Sequence, residues 1–175
     1  MAFGPHDGDL YVCQYSVPGV LQFHGGSLKY RRVFARGRAL ADPEGIAFAQ
    51  GHMYVASARH SSIVCLSLDG YMKTVTYLLS MQVPWGMAVG PDDALYVTQH
   101  PSYESGDYRD PMGVKSSEGQ GQVARLAIGA DGQLTESTGP AIIGNLTRPS
   151  GVCFDPAGNL YVTSMGAQVL KYAMR

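Results

Sequence analysis

One hairpin motif recurs four times along this chain and constrains its fold more than any other feature. Residues 149–164 read PSGVCFDPAGNLYVTS: a short apolar run, a turn, then a run of aromatic and β-branched residues. In the turn DPAGN, proline presets φ and glycine tolerates positive φ, while Asp and Asn side chains can bond nearby backbone amides. The following LYVT suits a pleated, half-buried surface. Residues 84–99 repeat the pattern as PWGMAVGPDDALYVTQ, residues 43–57 as PEGIAFAQGHMYVAS, and residues 2–14 as AFGPHDGDLYVCQ. The aligned tyrosines are Tyr11, Tyr54, Tyr96 and Tyr161, spaced by 43, 42 and 65 residues. The last interval holds an insert of 23 residues over a period near 42.

A period of this length matches one four-stranded blade of a β-propeller. Helical repeats of similar length are excluded, because no amphipathic 3.6-residue pattern lasts three turns. The 175 residues therefore predict an all-β fold, a single propeller domain of four-stranded antiparallel blades. The repeats run over about 1–42, 43–83, 84–148 (with the insert at 101–121) and 149–175. Expected inner-to-outer strands are 2–4, 9–14, 19–24 and 30–35, then 45–48, 52–56, 63–68 and 73–79. The third repeat offers 86–89, 94–98, 122–128 and 140–144, and the fourth 151–154, 159–163 and 168–173. This amounts to about 3.75 blades, and the expectation is a piece of a six-bladed ring. A four-bladed ring and closure by self-association are the alternatives. Open blade edges leave apolar faces in water and favour self-association. A small residue sits in the middle of each innermost strand: Ala2, Ala47, Ala88 and Cys153. Convergence of these strands on a narrow axis supplies a steric reason.

Composition narrows the partners. Thirteen basic and 14 acidic residues give a formal charge of −1, with no basic stripe for nucleic acid. No 18-residue apolar run exists to span a membrane, and no leader pattern opens the chain, so a soluble protein is expected. Cys13, Cys65 and Cys153 sit in expected strands without a CxxC, and they read as small buried hydrophobes rather than disulfides or zinc ligands. There is no G-x-S-x-G, H-E-x-x-H or P-loop. Asn145-Leu146-Thr147 is a glycosylation sequon, relevant only to a secreted chain.

The pattern P-x-G-[apolar]-A-[FV]-x-P-x-G-x-[LM]-Y-V resembles NHL-type repeats. It is also similar to the six-bladed group of gluconolactonase-like, regucalcin-like, strictosidine-synthase-like and streptogramin-lyase-like proteins. NHL repeats typically carry Asp just after Y-V-x; here those positions are Gln14, Ser57, Gln99 and Ser164. The resemblance covers nearly the whole chain. It implies the architecture more strongly than an activity, because these proteins share the repeat and differ in chemistry.

Antiparallel blades place the starts of innermost strands and the ends of second strands on one face of the disc. That face is expected to gather Glu44, Trp85 and Ser150 with Arg59, His60, Gln99 and His100. The insert lies on the same face and carries Tyr103 as a recognition aromatic. In gluconolactonase-like proteins metal ligands sit just before the glycine of P-x-G, so the resemblance implies calcium or zinc near Glu44. Trp85 cannot ligate, and Ser150 replaces the expected Asp or Asn. Glu44 otherwise reads as a solvated carboxylate pairing with Arg59 or Arg36. His60 and His100 close equivalent strands and are candidates for general acid–base work. The function expected is a binding scaffold for a protein or small-molecule ligand. The alternative is a metal-dependent hydrolase, lactonase or lyase with an incomplete site.

Overall fold

Each repeated tyrosine faces the same partner across its hairpin. Ala2, Ala47, Ala88 and Cys153 lie directly opposite Tyr11, Tyr54, Tyr96 and Tyr161 in antiparallel register. The small side chain and the large one are thus a cross-strand pair, repeated in every blade. This computed structural model describes residues 1–77, 82–100, 121–136, 142–164 and 168–174.

The first blade comprises β1 (Ala2–Phe3), β2 (Leu10–Gln14), β3 (Gly19–Phe23) and β4 (Tyr30–Arg36) in that spatial order. The second comprises β5 (Pro43–Ala49), β6 (His52–Ser57), β7 (Ser62–Ser67) and β8 (Met72–Tyr77). The third holds β9 (Val83–Val89), β10 (Leu95–His100) and β11 (Gly121–Ile128). Its outer position is divided: β12 (Leu134–Glu136) pairs with one end of β11 and β13 (Ile143–Leu146) with the other. A single outer strand over 140–144 is therefore replaced by two short ones. The fourth blade describes β14 (Pro149–Phe154), β15 (Leu160–Ser164) and β16 (Gln168–Tyr172). The four sheets stand around a common axis as a β-propeller with about four blades, innermost strands side by side. Among the described residues no helix is long and apolar enough to cross a membrane.

The core consists of three inter-blade clusters built alike. Tyr11 and Val20 of the first blade pack on Met53 and Val55 of the second. Tyr54 and Ile63 pack on Leu95 and Val97 of the third. Tyr96 and Val123 pack on Leu160 and Val162 of the fourth. In the L/M-Y-V triplet the tyrosine therefore faces the following blade, while its neighbours face the preceding one. Alternation along a strand requires this. Tyr11 meets Phe48 edge to face at 5.3 Å, and Tyr96 meets Phe154 at 4.8 Å. The outward face of the first blade has no such cover, and Phe3 is 61% exposed. Cys153, expected to be buried, is exposed on the corresponding free face of the fourth blade; Cys65 is buried and Cys13 half-buried.

The tyrosine hydroxyls tie each hairpin to its turn. Tyr11 donates to Asp7 at 2.8 Å, Tyr96 to Asp92 at 3.2 Å and Tyr161 to Asp155 at 3.1 Å. Asp155 also accepts from the backbone amides of Ala157 and Asn159, so one carboxylate organises the whole DPAGN turn around left-handed Gly158. The second blade has no Asp in that turn. Tyr54 instead donates 3.1 Å to the carbonyl of Gly132 in the third blade. Tyr54 is fully buried, so Tyr54→Phe leaves that carbonyl without its donor. A loss of about 1 kcal/mol is expected in urea unfolding, with an unchanged m-value.

Candidate functional site

The P-x-G element is a β-bulge in three blades. Pro43 pairs with Ser57 and Ile46 with Val55, so Glu44 and Gly45 oppose the single residue Ala56. Trp85 and Gly86 likewise oppose Thr98, and Ser150 and Gly151 oppose Thr163. A bulge re-aims the extra side chain and sharpens the local twist. Here the extra residue is the variable one, and all three line a single open cleft of about 400 Å³ on the axis, together with Met1. A backbone irregularity thus brings Glu44, Trp85 and Ser150 to one cleft.

The glycines of the bulge permit this convergence. A Cβ on Gly45 would lie 2.4 Å from the Trp85 carbonyl oxygen, and one on Gly86 would lie 2.1 Å from that of Ser150. The closest approach at the axis therefore falls on the P-x-G glycines. Ala47 and Ala88 pair with tyrosines instead. Thr98 locks the geometry: its hydroxyl accepts from the Gly86 amide at 2.8 Å and donates to the Ser150 carbonyl at 2.9 Å. Thr163 repeats half of this, accepting from the Gly151 amide at 2.7 Å and lying 3.0 Å from the Ser150 hydroxyl. Sequence reasoning passed over both threonines, although their shared place in LYVT was readable.

Glu44 is held by the chain before it. Asp42 is buried with a left-handed backbone (φ 49°), and its carbonyl accepts from Ala58 at 3.1 Å. Arg59 donates to the Asp42 carboxylate at 2.7 Å, so the arginine expected beside Glu44 is engaged one turn away. Burial, with the nearby Asp42 charge second, pushes the Glu44 carboxyl up to about 7. Trp85 lines the cleft, and its indole stacks on the His100 imidazole at 4.5 Å with a 6° tilt.

His100 and His60 are not equivalent. β10 runs through His100, which is 3% exposed, whereas β6 ends at Ser57 and His60 is exposed at the end of a 3-10 turn over Ala58–His60. Counted from the repeated tyrosines, His60 lies six residues past Tyr54 and His100 four past Tyr96, so they do not share a register. Burial lowers the His100 pKa to about 4, against a hydrogen bond to the Pro149 backbone that acts the other way. The ring is neutral at pH 7, and its buried Nε2 has no hydrogen-bond partner among the described residues. A ring that resists protonation in this way cannot serve as a general acid at pH 7. Gln99 is also fully buried, accepting from Gln122 at 2.5 Å. Tyr103 lies outside the described residues.

The depressed His100 pKa has a sign that can be tested. Its contribution to stability is whole above the unfolded value of about 6.5 and is lost as pH falls towards 4. Relative to His100→Phe, the native protein is expected to lose on the order of 2–3 kcal/mol between pH 6.5 and 4. Urea midpoints of both proteins across that range measure it. Parallel curves contradict a buried neutral ring.

The donor set does not fit a divalent cation. One carboxylate, an indole and a serine hydroxyl already 3.0 Å from Thr163 supply too few free oxygens. Among the described residues no three His, Cys, Asp or Glu side chains cluster.

Blades of this register around an open axial cleft define a β-propeller. Solved structures that share this fold include lactonase- and lyase-type propellers. A gluconolactonase from Xanthomonas campestris superposes with a TM-score of 0.68 at 19% identity, over 99% of this chain and 57% of its own. A calcium-binding regucalcin from Agrobacterium tumefaciens gives 0.65 at 17%, over 99% and 52%. A streptogramin B lyase gives 0.61 at 15%, over 98% and 52%. This chain spans about half the length of these structures, and at such identities the likeness is one of fold. No family model and no curated protein matches the sequence.

Proposed function

We propose that this chain is a ligand-binding propeller whose axial cleft takes a small, polar, hydrogen-bonding molecule. The observation that carries this reading is the convergence of three bulge residues, Glu44, Trp85 and Ser150, on one open cavity. A carboxyl poised near neutrality, a hydroxyl and an aromatic surface can bond and cover such a ligand. Titration of isotope-labelled protein with gluconolactone, watched by amide NMR, tests it. Saturable shifts at Gly45, Gly86 and Gly151 are expected. Silence at all three glycines counts against the cleft. Calcium or zinc alone is expected to leave the melting temperature unchanged, since the donors are too few.

A second reading, a hydrolase, lactonase or lyase, is favoured by the Glu44 carboxyl alone, whose pKa near 7 suits proton transfer. Opening of gluconolactone faster than its spontaneous rate, lost in Glu44→Gln, would move the assignment to this enzyme.

A further inference from the structure

A second cavity, of about 270 Å³, lies away from the axis and shares no lining residue with the cleft. It sits between the connection leaving β4 and the outer strands β7 and β8 of the second blade. Ala35, Leu40, Val64 and Leu66 form its buried apolar wall, with Met72 at an exposed lip. Arg36 and Arg38 border the same cavity, and both are exposed.

These two arginines differ from the others around them. Arg31 is bound to Asp9, Arg32 to Gln22, Arg59 to Asp42 and Arg125 to Asp92. The side chains of Arg36 and Arg38 make no hydrogen bond or ion pair with the described residues. The acid nearest in sequence to the cavity wall is Asp69, beside Gly70, and it is engaged by the Ser67 hydroxyl and the Tyr71 amide. An apolar cavity with two uncommitted guanidinium groups at its edge has a defined complement. The tail must be apolar, and the head must be an anion that can meet a planar fork of N–H donors.

We propose that this cavity binds an amphipathic carboxylate, a medium-chain fatty acid in chemical class. The alkyl tail lies against Leu40, Val64 and Leu66, and the carboxylate meets Arg36 and Arg38. Burial of the tail supplies the binding free energy, and the two arginines orient the head. The site is independent of the axial cleft, so it stands or falls separately from the function proposed above.

Methyl-labelled full chain titrated with octanoate at pH 7 tests the assignment. Saturable shifts of the Leu40, Val64 and Leu66 methyl groups are expected. The double variant Arg36→Gln/Arg38→Gln, which changes only exposed side chains, should weaken octanoate about tenfold or more. Octanol, with the same tail and no charge, should bind both proteins equally. Shifts confined to the open face around Phe3, Phe23 and Tyr30 would overturn the proposal, as would equal octanoate affinity in the double variant. Acetate binding as tightly as octanoate would also overturn it, because the tail would then contribute nothing.

Discussion

Gly86→Val is expected to destabilise the protein by about 3 kcal/mol or more and to loosen the fourth blade from the third. A Cβ there meets the Ser150 carbonyl oxygen at 2.1 Å and its carbonyl carbon at 3.2 Å. Both belong to the backbone of the neighbouring innermost strand, so no rotamer change relieves the clash. The strand must retreat, and Thr98 then loses its bond to Ser150. The cluster of Tyr96, Leu160 and Val162 opens behind it. Gly144→Ala provides the control, since nothing lies within 4 Å of a Cβ at that position. It should change stability by no more than about 0.5 kcal/mol. Urea unfolding of the two variants measures the contrast. Equal costs would show that the axial approach is not tight.

Glu44→Gln is expected to stabilise the protein in alkaline solution while changing it little in acid. The folded carboxyl titrates near 7 and the unfolded one near 4.5. Between those values the folded state holds its proton more tightly, so native stability falls as pH rises through the interval. Above pH 7 the half-buried carboxylate carries its whole desolvation cost. The amide removes that cost, and a gain on the order of 1–3 kcal/mol is expected there. Below pH 4.5 both states of the native chain are protonated and the difference vanishes. Stability curves of the two proteins from pH 4 to 9 decide the matter. A constant offset would mean that Glu44 is hydrated in the fold. If the variant gains stability but also loses gluconolactone shifts at Gly45, the same carboxyl limits stability and binds ligand.

The balance between these two groups shapes the acid response. His100 costs stability on acidification, and Glu44 gains it over an overlapping range. The native curve should be flatter than either single variant's curve. Both groups lie within one unit of the site, linked through Trp85, whose indole covers His100 and which shares the cleft with Glu44.

Much of the architecture was readable before any coordinate. The alternation of L/M-Y-V, the turn residues and the period near 42 are local properties, and strands form where those properties demand. The face on which Glu44, Trp85 and Ser150 meet also follows from strand direction alone. Contacts between distant residues do not follow in this way. The spacing of SARHSS and VTQHPS suggested matched histidines, yet a 3-10 turn ends β6 early and leaves His60 in solvent. Arg59 was one of two arginines expected to pair with Glu44, and the fold instead pairs it with Asp42.

The repeated hairpin, the blade and the line of variable residues before each glycine are written in the order of residues. Pairing within a hairpin is short-range, so residue types and turns are enough to specify it. What that line meets is set by packing between blades. That packing set strand against strand closely enough to require Gly45 and Gly86. It also stacked His100 beneath Trp85 and half-buried Glu44. Those outcomes depend on how blades pack around an axis, and that packing joins residues about 40 to 60 positions apart through inter-blade burial rather than local preference.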